Sequence, residues 1–340
     1  MKRFRIALAG CGGMAQTWVK YALSRDDVEI VALVDVKEEN ARATAARHEL
    51  TCNVYRDIAT AIKASDANTV FNVTTPEAHR DIVITSLKLG CDVFGEKPMA
   101  TSMREAQEMV SVVKRTGRTY AVMQNRRYSR NIRALRGLIS SGIIGHVGFV
   151  CADFFLGPHF GGFRDLMDSP LILDMSIHTF DQARFIAGAD PLWVYCCEFN
   201  PHGSWYKGNA AAVCTFGLSD GSVFSYRGSW CSEGAPTSWE SSWRIMGAKG
   251  TAVWDGTSPP YCEVVAPSDK LQFLNDYERV EAPITWSGRE GHFGCLDEMF
   301  TALLEGRKAE TDCTDNIKSM AMVFGALESA KKQKRVVLKY

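Results

Sequence analysis

The sequence lacks the features that mark nucleic-acid-binding, membrane and secreted proteins. Its charge is balanced, since 39 Lys and Arg residues stand against 39 Asp and Glu residues, giving a formal net charge of +0. Without a net positive field there is no general attraction to nucleic acid or to anionic lipid, and we expect neither as a partner. The chain has no run of about 18 apolar residues, so no transmembrane helix is predicted. The apolar stretch Ile6–Ala9 is too short for the hydrophobic region of a signal peptide.

The cysteines lack the spacing of a disulfide framework or a zinc site. There are 11 of them, an odd number, and none belongs to a Cys-x-x-Cys pair. Scattered thiols suit a reducing compartment, where free cysteine behaves as a small buried hydrophobe. We therefore expect a cytoplasmic protein with no structural metal.

The length of 340 residues exceeds what one hydrophobic core usually supports, so two domains are expected, 1–123 and 124–340. In the first, apolar runs alternate with helical patterns, which predicts parallel βαβ units and a doubly wound Rossmann sheet of the α/β class. The predicted strands are Ile6–Ala9, Ile30–Val34, Thr69–Val73, Asp92–Phe94 and Thr119–Met123, and the predicted helices are Ala15–Leu23, Glu38–His48, His79–Leu89 and Ser102–Thr116.

The second part has successive β-rich runs with few helices between them, which predicts a mostly antiparallel sheet in an α+β domain. Its predicted strands are Val147–Phe155, Trp193–Phe199, Ala211–Leu218, Ser222–Trp230 and Ser242–Met246. Ser219-Asp220-Gly221 predicts a hairpin between two of them. The predicted helices are Arg130–Ser141, Leu171–Ala187, Phe293–Leu304 and Asp315–Lys332, and the last two are candidates to pack back on the Rossmann domain.

A glycine-rich turn after the first strand predicts a dinucleotide site. Gly10-Cys11-Gly12-Gly13-Met14-Ala15 fits G-x-G-x-x-A, and the following helix offers free N–H groups to phosphates. Asp35 ends the second predicted strand, where a carboxylate accepts hydrogen bonds from ribose hydroxyls and repels a 2′-phosphate. NAD is therefore favoured over NADP, although Lys37 offers a nearby cation that would offset part of that repulsion.

Two polar clusters are candidates for chemistry. Glu96-Lys97-Pro98 follows the fourth predicted strand, where ligands of open α/β sheets bind, and Lys97 could hydrogen-bond a substrate hydroxyl. The alternative is a surface lysine at a turn. An apolar helix is predicted with Ser169 and Pro170 as its N-cap and first residue and Gly188 as its stop. On it, Asp174 and His178 are four residues apart, so Asp174 could orient His178 as a proton shuttle. A buried structural Asp–His pair and a metal site are the alternatives there.

Together these segments resemble the Gfo/Idh/MocA family, which includes glucose–fructose oxidoreductase and inositol dehydrogenase. The resemblance rests on GCGGMA, Asp35, TTPEAH, GEKPMA, QNRRYS, GIIGHV and DMSIHTFD, in the family's order. It implies a Rossmann domain joined to an open-faced, mostly antiparallel sheet whose outer face is buried in a homodimer or homotetramer. The chain departs from many members at Asp168–Leu173, where they are rich in glycine, and at Arg130, where they have proline.

The resemblance also implies roles for individual residues. Lys97 and His178 are expected as the acid/base pair, with Asp174 binding substrate or His178. The expected cofactor contacts are Gly10, Gly12, Gly13, Met14, Asp35, Thr75, Pro76, His79, Glu96, Lys97 and Asn125, and the expected substrate contacts are Lys97, Arg127, Asp174 and His178. Apart from the resemblance, the β-rich part offers Arg164 as a further substrate contact. Further candidates for contacting a sugar are His159, Asp165, Trp205, Tyr206, Arg227, Trp230 and Trp239.

The expected activity is hydride transfer between the nicotinamide and a carbinol carbon of a sugar, cyclitol or related polyol. Two alternatives remain open. One is a glycosidase that retains its NAD and cleaves by transient oxidation and elimination. The other is a ligand sensor without catalysis, which is disfavoured because Lys97, Asp174 and His178 are all present.

Overall fold

The computed structural model describes residues 3–270 and 272–340. The chain forms two compact units. The first contains the chain up to Asn125 and the later segment Glu290–Met320, and the second contains Arg126–Arg289 and Ala321–Tyr340. The boundary at Asn125 lies two residues from the predicted division, and the chain re-enters the first unit at Glu290.

The first unit is built on a six-stranded parallel sheet with the order β3-β2-β1-β4-β5-β6. Its strands are β1 Phe4–Ala9, β2 Val28–Val34, β3 Asn53–Tyr55, β4 Thr69–Asn72, β5 Asp92–Gly95 and β6 Tyr120–Val122. The order reverses between β1 and β4, which makes that point the crevice where doubly wound folds bind ligands. The predicted Rossmann sheet is thus confirmed, with Glu96 after the fifth strand rather than the fourth.

Six helices belong to this unit: α1 Ala15–Leu23, α2 Glu38–Arg47, α3 Ile58–Ser65, α4 Pro76–Lys88, α5 Met103–Thr116 and α8 Gly291–Glu305. The helix α8 packs on α1. Its buried Phe300 ring contacts the rings of Phe4, Tyr21, Phe71 and Phe94, so this late helix completes the aromatic core of the Rossmann unit.

The second unit is built on a nine-stranded sheet with the order β14-β13-β12-β11-β7-β10-β9-β8-β15. Its strands are β7 Val147–Phe155, β8 Pro191–Phe199, β9 Ala211–Leu218, β10 Val223–Ser229, β11 Ser242–Gly247, β12 Gly250–Trp254, β13 Tyr261–Val265, β14 Tyr277–Glu281 and β15 Val336–Val337. Among the described strands of this sheet, β7 and β10 are the one parallel pair, so the prediction of a mostly antiparallel sheet is confirmed. The predicted hairpin joins β9 to β10, with Gly221 at a φ of +86°.

Helices α6 Arg130–Ser140 and α7 Ser176–Ala187 lie in this unit, and α9 Cys313–Lys332 begins in the first unit and ends in the second. The predicted helix Leu171–Ala187 is α-helical only from Ser176, because Leu171–Met175 forms a π-helical turn. The predicted cap at Ser169 is wrong, since its hydroxyl donates to Glu198 at 3.0 Å. The predicted stop is right, with Gly188 in the left-handed conformation.

Candidate functional site

The glycine turn after β1 has a conformation that only glycine tolerates. Gly10 has a φ of +88°, and a Cβ built there would lie 2.5 Å from the Val73 carbonyl oxygen. The backbone of β1 therefore passes directly against the end of β4. A Cβ at Gly12 or Gly13 would meet no atom within 4 Å. Those two backbones therefore face open space, as close approach of a pyrophosphate requires.

Side chains from α1 and α2 hold this turn in place. Thr44 donates to the Cys11 carbonyl at 3.3 Å, and Gln16 donates to the Gly12 carbonyl at 3.4 Å. Nε2 of His48 lies 2.6 Å from the Gln16 amide oxygen. Burial, together with the charges of Arg47 and Lys20, lowers the pKa of His48. This network depends on contacts between distant residues, and no sequence motif marks it.

Asp35 directly follows β2 and is fixed by backbone donors. One carboxylate oxygen accepts from the Cys11 N–H at 2.9 Å, and the other accepts from the Lys37 N–H at 2.9 Å. The Asn40 amide lies 3.4 Å from the second oxygen. Each carboxylate oxygen can accept more than one hydrogen bond, so the group retains capacity for the two hydroxyls of a ribose.

A cleft of about 480 Å³ opens beside the glycine turn and Asp35. Its walls come from the carboxyl ends of β1, β2 and β4 and from the helices that follow them. The lining residues include Gly10, Gly12, Gly13, Met14, Asp35, Val36, Lys37, Asn40, Arg56, Asp57, Ile58, Thr74, Thr75, Ala78 and Ile82. Six of the expected cofactor contacts therefore line one cleft. Arg56, which the sequence did not single out, lines it as well.

Thr75, Pro76 and His79 lie at the start of α4. Pro76 is the first residue of the helix, and Thr75 precedes it at the cleft wall. His79 is only 1% exposed, and its two ring nitrogens contact the carbonyls of Pro98 and Thr74 at 2.8 and 3.1 Å. The structure therefore places His79 behind the cleft wall, in contact with backbone.

Glu96 and Lys97 follow β5, and buried partners hold Glu96. Trp18 donates its indole N–H to Glu96 at 2.8 Å, and His292 of α8 lies 3.6 Å from the same oxygen. The other carboxylate oxygen accepts from the Lys97 N–H at 3.2 Å. Burial alone would raise the pKa of Glu96, but these donors and the Lys97 charge lower it. Glu96 therefore fixes the backbone that carries Lys97, while Trp18 and His292 carried no signal in the sequence.

In the second unit, α7 carries a buried ion pair. Asp181 accepts two hydrogen bonds from Arg127, at 2.6 and 2.7 Å, and both side chains are almost fully buried. Arg127 ends the short 3₁₀ turn Asn125–Arg127. Its Nε and one terminal nitrogen are thus engaged by α7, and Asn125 is the last residue of the first unit before the chain resumes in the second.

His178 and Asp174 lie at the start of the same helix. His178 is 7% exposed, and Asp174 accepts a hydrogen bond from the Arg164 Nε at 2.6 Å. The π-helical turn at Leu171–Met175 makes the four-residue step between Asp174 and His178 differ from one α-helical turn. Arg164 comes from the 3₁₀ turn Gly162–Leu166, and its guanidinium lies against the rings of Phe160 and Phe163.

The aromatic candidates form stacked pairs. Tyr206 stacks on Trp230, and His159 stacks on Trp205 at 3.8 Å between ring centroids. Trp239 lies near Phe160. Arg227 instead points from β10 to Asp153 of β7 as an exposed ion pair on the sheet, and Asp165 follows Arg164 in its 3₁₀ turn.

The described residues were also compared with the requirements of metal and membrane sites. Within 3–270 and 272–340, no three His, Cys, Asp or Glu side chains converge as a bound metal ion would need. In the same part of the chain, no helix combines the length and apolar character of a membrane-spanning segment.

Comparison with known proteins gives matches along most of the chain. Residues 4–124 match the model of the oxidoreductase family with an NAD-binding Rossmann fold, GFO_IDH_MocA, and residues 132–253 match the GFO/IDH/MocA C-terminal domain. An uncharacterised protein, y4oX, from Sinorhizobium fredii is 26% identical, with 96% of this chain and 94% of that protein aligned.

Two further similar proteins differ in how much of their length aligns with this chain. D-apiose dehydrogenase from Paraburkholderia graminis is 32% identical over 55% of this chain, and the match spans only 51% of that enzyme. A crystal structure of an oxidoreductase from Agrobacterium radiobacter, in complex with NAD+, L-tartaric acid and magnesium, superposes with a TM-score of 0.85. It is 23% identical, and the match covers 98% of each chain, so it supports the same fold.

Proposed function

Because the chain belongs to the Gfo/Idh/MocA family of NAD-binding oxidoreductases, we propose that it transfers hydride between nicotinamide and a carbinol carbon of a sugar, cyclitol or related polyol. The cofactor supplies the redox chemistry, and the protein binds, orients and moves protons. The observation that carries the proposal is the position of Lys97. It follows β5, next to β4, in the half of the sheet beyond the reversal point.

The cleft of the first unit suits NAD. The open backbones of Gly12 and Gly13 leave room for a pyrophosphate at the start of α1, where helix N–H groups favour negative charge. The Asp35 carboxylate would accept the hydroxyls of the adenosine ribose and repel a 2′-phosphate. We therefore propose that NAD is preferred over NADP.

Two side chains are proposed to handle the proton. Oxidation of a carbinol releases a hydroxyl proton together with the hydride, so a base must accept that proton. We assign Lys97 to hydrogen-bond the substrate hydroxyl and accept its proton. We assign His178 as the acid/base partner of Lys97 in this proton transfer. Arg164 neutralises Asp174 through their 2.6 Å contact, so the pair can bind polar substrate groups without a net charge.

A polyol suits the remaining side chains of the second unit. Carboxylates accept hydrogen bonds from hydroxyls, and imidazoles accept and donate them. An exposed aromatic face such as that of Trp239 suits the apolar face of a sugar ring. D-apiose dehydrogenase and inositol 2-dehydrogenase are among the named relatives. Which polyol is oxidised is a matter for the experiment below.

The thiols support a cytoplasmic location. Every cysteine of the chain lies within the described residues and is a thiol. Several are buried, and burial raises the pKa of Cys91 to about 11, which makes that thiol unreactive. A reducing compartment is the setting in which so many thiols persist.

The test is a screen of sugars, cyclitols and polyols with NAD+, read as NADH absorbance, in parallel with Lys97→Ala. We expect NADH from at least one polyol with the wild type and none above background with the variant. Cleavage of a glycoside without net NADH, with cofactor retained, would favour the glycosidase instead. A polyol that raises the melting temperature but is never turned over would favour the sensor.

A further inference from the structure

His79 bridges two backbone segments inside the Rossmann unit. It lies in the first turn of α4 and is 1% exposed. Its Nδ1 is 2.8 Å from the Pro98 carbonyl oxygen, and its Nε2 is 3.1 Å from the Thr74 carbonyl oxygen. Both ring nitrogens therefore face carbonyl oxygens, and the ring has almost no exposed surface from which to contact a bound molecule.

The two carbonyls belong to the two segments that matter for the nicotinamide. Thr74 and Thr75 follow β4 and line the cleft. Pro98 directly follows Lys97, after β5. Asp35 lies after β2, on the adenosine side of the reversal point, so the nicotinamide belongs on the side of β4 and β5. The His79 ring thus spans the gap between Thr74 at the cleft wall and Pro98, the residue after Lys97.

The chemistry of the ring explains why a histidine suits this gap. Carbonyl oxygens only accept, so each contact requires an N–H of the ring. A ring with one proton donates to one segment, and a ring with two donates to both. Burial lowers the pKa of His79, whereas the two carbonyls and the charges of Glu96 and Glu77 raise it. In either protonation state the ring donates a hydrogen bond to at least one of the two segments and so joins that segment to α4. The width of the ring sets the distance between the two segments.

We propose that His79 is a positioning residue: it sets the spacing between the Thr74–Thr75 wall of the cleft and the Lys97 segment. This inference rests on the proposed role of Lys97. It differs from a direct cofactor contact, which the burial of His79 does not permit. Its consequence is specific to the nicotinamide half, because the glycine turn and Asp35 are held by other contacts.

The experiment compares His79→Leu, which fills space without donating, and His79→Gln, whose amide can still donate to one carbonyl. The readouts are the dissociation constants of ADP-ribose and of NADH, measured on the full chain, and kcat with a polyol found in the screen. We expect His79→Leu to bind ADP-ribose as the wild type does and to lose about tenfold in NADH affinity and in kcat, because a buried carbonyl loses its donor. His79→Gln should recover part of both losses.

Ser86→Ala is the matched control, since Ser86 is also buried on α4 and its hydroxyl donates only to the Ile82 carbonyl of the same helix. It should lower the melting temperature without changing the ratio of the two affinities. An unchanged ratio and kcat in His79→Leu, or an equal loss for ADP-ribose and NADH, would overturn the positioning role. Because the affinity ratio needs no substrate, it tests His79 even if the screen yields no turnover and the proposed function fails.

Discussion

At the scale of single residues, the preference between NAD and NADP depends on the charges around Asp35. Its carboxylate is fixed by two backbone N–H groups, while Lys37 and Arg56 line the same cleft. Removing the negative charge would leave two cations facing a 2′-phosphate. Asp35→Ser should therefore weaken NAD binding about tenfold and tighten NADP binding, since a hydrogen-bonded charge is lost.

The measurement is the dissociation constant of each cofactor by calorimetry. Asp57→Asn is the control: Asp57 also lines the cleft, but its side chain caps α3 by accepting from the Thr60 N–H, which an asparagine can still do. A wild-type protein that binds NADP more tightly than NAD would refute the role of Asp35.

Lys97 and His178 should be needed for turnover and not for the fold. A positioned acid/base group contributes about 10²–10⁴-fold, so Lys97→Ala and His178→Ala should each lose kcat on that order and still bind NAD. Their combined effect should be less than the product of the two if they act as one unit. Steady-state kinetics, with circular dichroism and NAD binding as controls, decides this. Near-normal turnover in folded variants would make both residues structural.

At the scale of elements, two glycines of the turn between β1 and α1 have different roles, Gly10 in folding and Gly12 in cofactor binding. A Cβ at Gly10 would lie 2.5 Å from the Val73 oxygen in a backbone of positive φ, whereas a Cβ at Gly12 would enter open space. Gly10→Ala should therefore lower the melting temperature by several degrees through steric strain. Gly12→Ala should keep the wild-type melting temperature without cofactor and lose NAD affinity, because its methyl occupies pyrophosphate space.

Thermal unfolding with and without NAD measures both effects, and each variant is the control for the other. If Gly12→Ala bound NAD as the wild type does, the pyrophosphate would not lie against this turn.

The strand β8 carries a carboxyl group whose protonation should affect stability. Burial raises the pKa of Glu198 to about 7, against the hydrogen bonds from Ser169 and Asn209. A carboxyl group with a raised pKa favours the folded state when it is protonated, and this stabilisation is lost as pH rises from about 4.5 to about 7. Glu198→Gln should therefore raise the melting temperature above about pH 7 and leave it nearly unchanged near about pH 4.5. An equal change at both values would assign the effect to packing.

The elements that the sequence predicts are those with a strong local pattern. The helix Ala15–Leu23 and the strands Val147–Phe155 and Ala211–Leu218 agree with the structure to the residue, because long apolar runs end at clear turn residues. The short elements β3 and α3 were not predicted, nor were β12 to β15. Strand β3 has three residues, none of them buried, and β14 is nearly all exposed, so neither presents the alternation of a half-buried strand.

The residues of the candidate site also divide into those that a local sequence pattern reveals and those that it does not. Gly10, Asp35 and Lys97 stand at positions defined by the chain order of a Rossmann fold, and the sequence reveals them. Trp18 and His292 meet at Glu96 although 274 residues separate them in the chain. Contacts between such distant residues leave no local pattern, so the support of the site becomes visible only in the structure.

At the scale of the whole molecule, one face of the nine-stranded sheet carries several exposed apolar side chains. Helix α7 covers the other face, where Phe180 packs on Phe216, Phe224 and Tyr226. The exposed apolar side chains on the strands of this sheet include Phe149, Tyr195, Phe199 and Val213. An apolar sheet face of this kind is unfavourable in water and is commonly buried against another subunit.

We therefore predict a homodimer or homotetramer in which this sheet face is buried. Val213 lies on β9, opposite Cys197 on β8 and Arg227 on β10, and is 42% exposed. A carboxylate there would lose its hydration on association, even beside Arg227, so Val213→Asp should give monomers at micromolar concentration while keeping the fold. Leu23→Asp is the matched control, since Leu23 is 55% exposed at the end of α1 in the first unit. Light scattering after size-exclusion chromatography measures the mass: a monomeric wild type would refute the predicted assembly, and an unchanged oligomer in Val213→Asp would place the interface elsewhere.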